Sequence, residues 1–575
     1  MQPIQLILDD CRRLTGKNLL WDAPGAIIDA YVSGVDKDEV IKCWQANATS
    51  LLQAVGWQEQ QCCSRIFDSG VNLAISAPLD GLYAATTLNE GAWKMLEQHF
   101  EIANDASEAP LVFEQLVATI KQEIDSERNP RLLALIAQAD SQQVPWLVDD
   151  DEFSLGFGAS SKIWPISELP APSKVDWANY TRVPCVYVTG TNGKSTTVRL
   201  FSHVLTTSGL CCGVTSTDFI RVGKKIVDHG DYSGPSGARM LLREKSLQAA
   251  VLEVARGGLL RRGLPIEQVD AAIITNVAED HLGQYGINDL AGLVQTKFMV
   301  AKGLSDNAPL VLNADDLGIV AYVQANRQQL TQNIHWFSLE KNNPIVQQCL
   351  QQAIPVSYTE EGEFIYHDGH QAQALLKVAN VPMTFGGAAV HNVHNALGCI
   401  ALSKSLAISN QHIVQALESF KSDNEDNPGR GNVFHIKEAT VIVDFAHNVH
   451  SMQAMQKMLN SMPAKRKTLM LGHAGDRSDA EIAALTECIL AIAPDQLMIV
   501  ENPDYLRGRA LGDIPAIIAQ CALAKNMRED QIFYADNPLN GVEKILENMQ
   551  ADDLVFLMVL SQRDAIVPLL QAQIN

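Results

Sequence analysis

Apolar runs broken by glycine turns set the pattern of the chain from residue 183 onward. VPCVYVTG at 183–190 reads as a strand buried on both faces, and KSTTVRLFSHVLTTSG after it has apolar residues at helical spacing, with Gly209 placed to end the helix. Further buried strands are predicted at 249–254 (AAVLEV), 270–277 (DAAIITNV) and 308–314 (APLVLNA), separated by helical stretches, the pattern of a mostly parallel sheet. After the turn-rich NPGRGN at 427–432 the alternation restarts, with strands predicted at 440–444, 467–472, 496–500, 531–534 and 554–560, a second doubly wound unit. Residues 5–125 are mixed, with helices predicted at 38–56 and 110–125 and a strand at 71–76. WPISELPAPSKVDW at 164–177 holds three prolines in fourteen residues and predicts an extended linker. The expectation is an α/β chain with a separate mixed α/β N-terminal module (1–163), a linker (164–177), a central domain (178–427) and a Rossmann-like C-terminal domain (428–575).

Composition narrows the partners. The 575 residues are 47% hydrophobic and 19% charged, ordinary for globular domains, and the net charge is −22. Residues 1–152 hold 10 Lys/Arg against 24 Asp/Glu, so the N-terminal module carries most of the excess. A field of that sign repels phosphates and argues against nucleic acid or an anionic membrane as partner. Eleven Cys without regular spacing predict free thiols in a reducing compartment. No basic-then-apolar leader and no run of about 18 apolar residues is found, so a cytoplasmic protein is expected.

The chemistry-bearing motif is Thr189-Gly190-Thr191-Asn192-Gly193-Lys194-Ser195-Thr196. Glycines let successive N–H groups face a polyphosphate, Lys194 offers a point charge to the β and γ phosphates, and Ser195 can place its hydroxyl on Mg²⁺. The plainer alternative, a glycine turn beside a surface lysine, leaves unexplained why strand and helix fall where phosphate binding needs them. Val188 stands where the general G-x-x-x-x-G-K-[ST] pattern requires glycine, so the turn is a variant.

That variant resembles the Mur ligase family of ATP-dependent amide-forming ligases. VLEVARGGLLRRGL (251–264), TNVAEDHLGQYGI (275–287), LNADD (312–316), HNVHNALG (391–398), NPGRGN (427–432), DFAHN (444–448), GDRSD (475–479) and LRGR (506–509) follow in the same order. ARGGLLRRGL, GDYSGPSGARM and LRGR look most like the C-terminal, Mur-like half of the cyanophycin synthetases, without the ATP-grasp domain that precedes it there. The resemblance implies a P-loop ATP-binding central domain, a C-terminal ligase domain, ATP and Mg²⁺, and joining of an acid to an amino acid through an acyl phosphate. It makes Glu253 a Mg²⁺ ligand beside Ser195, and His281 and Lys297 ligands of a second Mg²⁺, Lys297 as a carbamate. The alternatives are a strand-end Glu reaching solvent, an acidic helix start at 279–281 and an ordinary Lys on an exposed helix face. Gly190, Thr191, Asn192, Gly193, Lys194, Ser195 and Thr196 would hold the phosphates. Asn313, His391, Asn392 and Asn395 would lie around the adenine, with Asp444 and His447 on the nucleotide and Arg430 and Arg477 reaching it on domain closure.

Charge reverses locally between Arg221 and Arg262, where nine Lys/Arg face four Asp/Glu. A solvated charged face is one reading; the other is a funnel in which Arg239, Arg256, Arg261 and Arg262 draw in a carboxylate-rich acceptor, an acidic peptide or small carboxylate. Asp504, Arg507 and Arg509 are candidates for reading the incoming amino acid. The competing hypothesis is a catalytically reduced ATP-binding partner whose N-terminal module docks onto a separate ligase; a homo-oligomer is compatible with either.

Overall fold

The computed structural model describes residues 3–102, 112–280 and 282–574. The chain divides into two compact units, one of residues 1–190 with 208–335, the other of residues 191–207 with 336–575.

The first unit opens with a four-stranded antiparallel sheet. Strands β1 (Gln5–Leu14), β2 (Gly25–Ser33), β3 (Cys62–Phe67) and β4 (Gly70–Ser76) stand in the order β1-β2-β4-β3. Helices α1 (Lys37–Val55), α2 (Leu82–His99) and α3 (Phe113–Glu127) cover one face. Asp36 caps α1 by accepting from the Asp38 N–H, and Gly56, at φ +85°, ends it in the left-handed conformation that glycine adopts without strain. Trp44 and Trp93 fill the core beneath, and the Trp44 indole N–H donates to Asn89 at 2.9 Å, which satisfies a polar group that burial would otherwise penalise. The sequence pattern anticipated α1, α3 and the strand at 71–76, and missed β1 and β2.

Next come α4 (Pro130–Ser141) and a small sheet of β5 (Trp146–Val148), β6 (Glu152–Leu155) and β7 (Lys162–Pro165). The proline-rich stretch 164–177 is not a free extended linker. It makes three short 3-10 turns and buries Leu169 and Val175 against Leu132, Leu135 and Phe153, because apolar residues alternate with its prolines.

The core of the unit is built on β8 (Cys185–Thr189); after α5 (Lys194–Thr207), which belongs to the second unit, the chain returns to it with β9 (Cys212–Thr215), β10 (Phe219–Val222), β11 (Lys225–His229), α6 (Pro235–Leu242), β12 (Ala249–Glu253), α7 (Arg256–Arg262), β13 (Ala271–Ile274), α8 (Leu290–Phe298) and β14 (Pro309–Asn313). The strand order β11-β10-β9-β12-β8-β13-β14 puts β8 between β12 and β13, with Val188 opposite Glu253 and Thr189 opposite Ile274. From β9 to β14 the pairing is parallel, and β10 and β11 form an antiparallel edge. The strands predicted at 183–190, 249–254, 270–277 and 308–314 are all present.

The N-terminal module is fastened to this core by a buried charge. Arg12 forks onto Asp29 at 2.5 and 3.2 Å, donates to the Leu260 carbonyl at 3.3 Å and lies 4.9 Å from the centre of the Tyr285 ring. Asp29 also accepts from Asn72 at 2.5 Å. Arg65 donates to the Gly286 carbonyl at 2.7 Å, and the Thr15 N–H to the Arg262 carbonyl at 2.9 Å.

In the second unit, strand Asn333–Ser338 pairs in parallel with Val356–Glu360 from Trp336 onward, and Glu363–His367 and Ala372–Lys377 continue antiparallel. The C-terminal sheet runs Asn432–Ile436, Ala439–Asp444, Asp553–Met558, Arg466–Leu471, Gln496–Val500, Ile532–Ala535, parallel except for the first strand. Helices pack on both faces, giving two apolar clusters, one around Phe556 and Ile518, the other around Leu557 and Ile566. This is the doubly wound unit the sequence predicts. Among the described residues no helix is long and apolar enough to cross a membrane, and all eleven cysteines are free.

Asp29→Ala leaves the Arg12 guanidinium buried without its carboxylate and is expected to destabilise the first unit by about 3–5 kcal/mol, whereas Arg12→Met with Asp29→Leu should cost much less. Chemical denaturation of the two variants checks the contrast; equal losses would mean that packing, not charge, fastens the module.

Candidate active site

Strand β8 is buried along its whole length, and the chain leaves it through residues 190–193 to enter α5. Gly190 has φ +149°, and a Cβ there would stand 1.9 Å from Thr275 Oγ1; at Gly193, φ +82°, it would stand 2.4 Å from Asn395 Oδ1. Both positions therefore need glycine for space as well as for conformation. Lys194 Nζ donates to the Thr191 carbonyl at 2.8 Å, and the Thr197 N–H donates to the Gly193 carbonyl at 2.9 Å to begin the helix. The first amides of such a helix lack intrahelical acceptors and carry the positive end of its dipole, the setting in which phosphate binds.

Glu253 ends β12 at 1% exposure, so it does not reach solvent; its N–H donates to Thr215 Oγ1 at 3.2 Å. Lys297, in the last turn of α8, is 3% exposed and is not on an open helix face. His281 lies outside the described residues. Among the described residues no group of three or more His, Cys, Asp or Glu could hold a metal by itself. A hydroxyl and a carboxylate are hard oxygen donors that suit Mg²⁺, which keeps several waters and is commonly bound with substrate phosphates.

The four arginines singled out for an acceptor do not stay together. Arg239, Arg261 and Arg262 line one cavity of about 670 Å³, whereas Arg256 donates to Gln284 at 2.6 Å and lies by the Tyr285 ring. The cavity floor is the segment before α6: Asp231 accepts from the Ser233 N–H and hydroxyl, and Ser233 O accepts from the Ala255 N–H at 3.0 Å. Gly258 lets this segment approach, since a Cβ there would meet Ser233 O at 3.0 Å. Burial lowers the pKa of Arg239, with Arg243 and Arg262 adding to the effect against Asp149 and Asp150. The opposite wall comes from the N-terminal module, through Arg13, Tyr83, Glu127 and Asp150. Sequence reading missed these. Its available signal was Arg12-Arg13, the one adjacent basic pair in the first 152 residues.

In the second unit residues 191–193 of the glycine turn are held from several sides. Asn395 packs on Gly193 and donates to Asn392 at 3.2 Å, and Asn392 donates to the Met383 carbonyl at 2.8 Å. Asn192 and Asn448 exchange amide hydrogen bonds at 3.1 and 3.4 Å, and Asn192 Nδ2 lies 2.9 Å from His450 Nδ1; Asn448 and His450 were not foreseen. The buried Arg199 of α5 donates to Asn427 Oδ1 and to the Pro428 carbonyl, both at 3.1 Å, which seats the NPGRGN junction on the helix. Burial pushes His391 down to about 4, so its ring is neutral at pH 7. In the first unit Asn313 donates to the Thr275 carbonyl at 2.9 Å and accepts from the Asp315 N–H, so its amide already braces the ends of β13 and β14.

Asp444 ends its strand with Arg430 nearby, whose guanidinium sits 4.7 Å from the centre of the Phe445 ring; burial pushes the Asp444 carboxyl up to about 6 against the pull of that arginine. His447 Nδ1 lies 3.1 Å from the Phe445 carbonyl, and Arg477 pairs with Glu481 one turn on. Arg507 is paired with Asp476 at 2.5 Å. Arg509 pairs with Asp479 at 2.8 Å and donates to the carbonyls of Gly475 and Arg477, bracing that loop. Asp504 is exposed.

A central parallel strand feeding a glycine turn and a helix, followed in sequence by a second, mostly parallel sheet with helices on both faces, defines a P-loop α/β protein. Residues 188–403 match the Mur ligase middle domain and residues 429–558 the Mur ligase glutamate ligase domain, and the chain belongs to the Mur ligase family. Cyanophycin synthetase of Crocosphaera subtropica is 33% identical over 386 residues, 67% of this chain and 43% of that protein, so the chain spans less than half the length of this relative. UDP-N-acetylmuramoyl-L-alanyl-D-glutamate–2,6-diaminopimelate ligase of Vibrio vulnificus is 24% identical, over 64% of this chain and 70% of that one. Among solved structures, E. coli FolC in complex with DHPP and ADP has a TM-score of 0.50 at 18% identity, covering 68% of this chain and 89% of that one, a likeness of fold.

With a carboxyl pKa of about 6 in the fold against 3.8 as reference, Asp444 holds a proton that the unfolded chain releases first. Its contribution to stability is present below pH 4 and is lost as pH rises through 6. Asp444→Asn is expected to remove that slope and to be more stable than the parent at pH 7.5 by up to about 3 kcal/mol. Denaturant unfolding at pH 4.5 and 7.5 measures it; an unchanged slope would exclude Asp444 as its source.

Proposed function

We propose that the chain is an ATP-dependent acid–amino acid ligase with an anionic acceptor. An acceptor carboxylate oxygen attacks the γ-phosphorus of ATP, giving an acyl phosphate and ADP. The amino group of an amino acid then attacks the acyl carbon, phosphate leaves, and an amide remains. Both partners of the first step are negative, so the reaction depends on fixed cations and aligned N–H groups. In this reading Gly190, Thr191, Asn192, Gly193, Ser195 and Thr196 cradle the phosphates and Lys194 faces the β and γ oxygens. Ser195 and Glu253, with His281 and Lys297, would hold Mg²⁺, which when bound offsets phosphate charge. Asn313, His391, Asn392, Asn395, Asp444, His447, Arg430 and Arg477 serve the nucleotide, and Asp504, Arg507 and Arg509 the incoming amino acid.

One observation carries the reading. Glu253 ends β12, and two residues later the Ala255 N–H is bonded to Ser233 O in the floor of the arginine-lined cavity. Glu253 thus leads within two residues into backbone bonded to a segment that borders the cavity shared by Arg239 and Arg261. An Asp- or Glu-containing peptide is the acceptor that the similarity to cyanophycin synthetase favours.

Purified protein with ATP and Mg²⁺, screened over acidic dipeptides, polyaspartate and amino acids, is expected to release phosphate only when acceptor and amine are both present. Lys194→Ala should lower that rate by roughly 10²–10³-fold, the usual cost of removing one preorganised charge-stabilising group. ATP binding without coupled release across the panel would favour a nucleotide-binding partner of another ligase, and undiminished activity of Lys194→Ala would remove the phosphate turn from the reaction.

A further inference from the structure

One cation of α5 is turned to the protein rather than to a ligand. Arg199 lies in the second turn of the helix and is fully buried, and a charge taken out of water is kept only where its N–H groups meet fixed acceptors. Two of those acceptors, Asn427 Oδ1 and the Pro428 carbonyl, both at 3.1 Å, are consecutive residues of the 427–432 junction. The helix that begins at the glycine turn is thereby pinned to the short peptide that carries Arg430.

Asn427, itself fully buried, is the hub of the contact. While its side-chain oxygen accepts from Arg199, its side-chain nitrogen donates to Thr196 Oγ1 at 3.3 Å and to the Arg430 carbonyl at 3.5 Å. Its own carbonyl accepts from the Arg430 N–H at 3.2 Å and from Asn432 Nδ2 at 2.8 Å. Both main-chain polar groups of Arg430 are therefore bonded to one residue, and that residue is bonded to the hydroxyl that closes the TGTNGKST motif. The rest of the junction is fixed in the same manner. Asn432 Oδ1 accepts from the Gly429 N–H at 2.7 Å, and Gly429 and Gly431, at φ +72° and +66°, turn the chain on either side of Arg430 in a conformation that other residues adopt only with strain. The Arg430 guanidinium donates to the Gly429 carbonyl at 3.1 Å and lies 4.7 Å from the centre of the Phe445 ring. An arginine gives up much rotamer freedom when it grips a phosphate, so a backbone and a guanidinium set beforehand make it the stronger ligand.

We propose that Asn427 and Arg199 are positioning residues that tie Arg430 to the helix of the glycine turn, so that the arginine stands in place when the turn receives its nucleotide. This rests on the reading above, in which Thr196 and Arg430 both serve the nucleotide, and adds the two residues that keep them in register.

Calorimetric titration of the full chain with ATP and Mg²⁺, without acceptor or amine, tests it. Arg430→Ala is expected to weaken ATP binding about 10-fold or more, the usual loss for a hydrogen bond to a charged group. Asn427→Asp keeps the size of the side chain and the acceptor for Arg199 but offers no N–H to Thr196 or to the Arg430 carbonyl. It should weaken ATP about 5-fold in the parent chain and no more than about twofold in the Arg430→Ala chain, where no guanidinium is left to misplace. A role in packing alone would give the same loss in both backgrounds. Arg199→Met should behave as Asn427→Asp does, and Arg199→Lys, which can still donate to one of the two acceptors, should recover most of the affinity. That pair serves if Asn427→Asp does not fold, and the melting temperature reports folding in each case. Equal losses in the two backgrounds, or ATP binding unchanged in Asn427→Asp and Arg199→Met while Arg430→Ala is weakened, overturns the positioning role. Unchanged ATP binding in Arg430→Ala overturns instead the assignment of Arg430 to the nucleotide.

Discussion

Everything in the first unit hangs on a buried arginine. Arg12 satisfies Asp29, the Leu260 carbonyl and the Tyr285 ring at once, and those partners come from two different parts of the fold: Asp29 from the N-terminal sheet, Leu260 and Tyr285 from the P-loop core. A charge this buried is tolerable only while every partner is present, so the contact enforces a docked module rather than merely permitting one. The Arg65 bonds to the 285–286 turn and the exchange of main-chain bonds between 15–17 and 262–264 then follow from the same placement. An acidic module that composition alone would set apart is thereby made one wall of a cavity lined by both arginines and carboxylates.

Much of the architecture could be read from the chain because its strands are buried on both faces. Runs such as 249–254 and 270–277 have no competing pattern, and every strand predicted from residue 183 onward is present. The glycine turn was legible for the same reason: Val188 replaces the usual glycine because β8 continues through it, paired with Glu253, and the turn starts two residues later. Half-exposed elements were not legible. β1 carries a bulge between Leu8 and Asp10 that interrupts its alternation, so the sheet it begins went unseen. The 164–177 segment read as a linker because proline content says nothing of what the intervening Leu169 and Val175 bury.

The site shows a similar split. The glycine turn could be placed because a buried strand and a helix flank it in sequence, and Glu253 and Lys297, singled out by the resemblance, are both buried. Arginines are harder, since a guanidinium reaches far and its partner decides its use. Arg239, Arg261 and Arg262 share a cavity, while Arg256, on the same short helix as two of them, is spent on Gln284. Arg507 and Arg509 brace the 475–479 loop through Asp476, Asp479 and two carbonyls. Asn448, His450 and Arg199 hold the glycine turn and the 427–432 junction from places that no local pattern marks.

The bulge in β1 has a bearing on how this module can change over generations. Successive side chains of a strand point to opposite sides, and Arg12 and Arg13 sit just after the irregularity, one spent inward on docking and the other turned to the cavity. Gaining or losing a single residue between Leu8 and Arg12 would exchange the two arginines and undo the attachment. The segment should therefore drift by substitution and resist insertions and deletions, so that length variation among descendants of this chain collects in its loops.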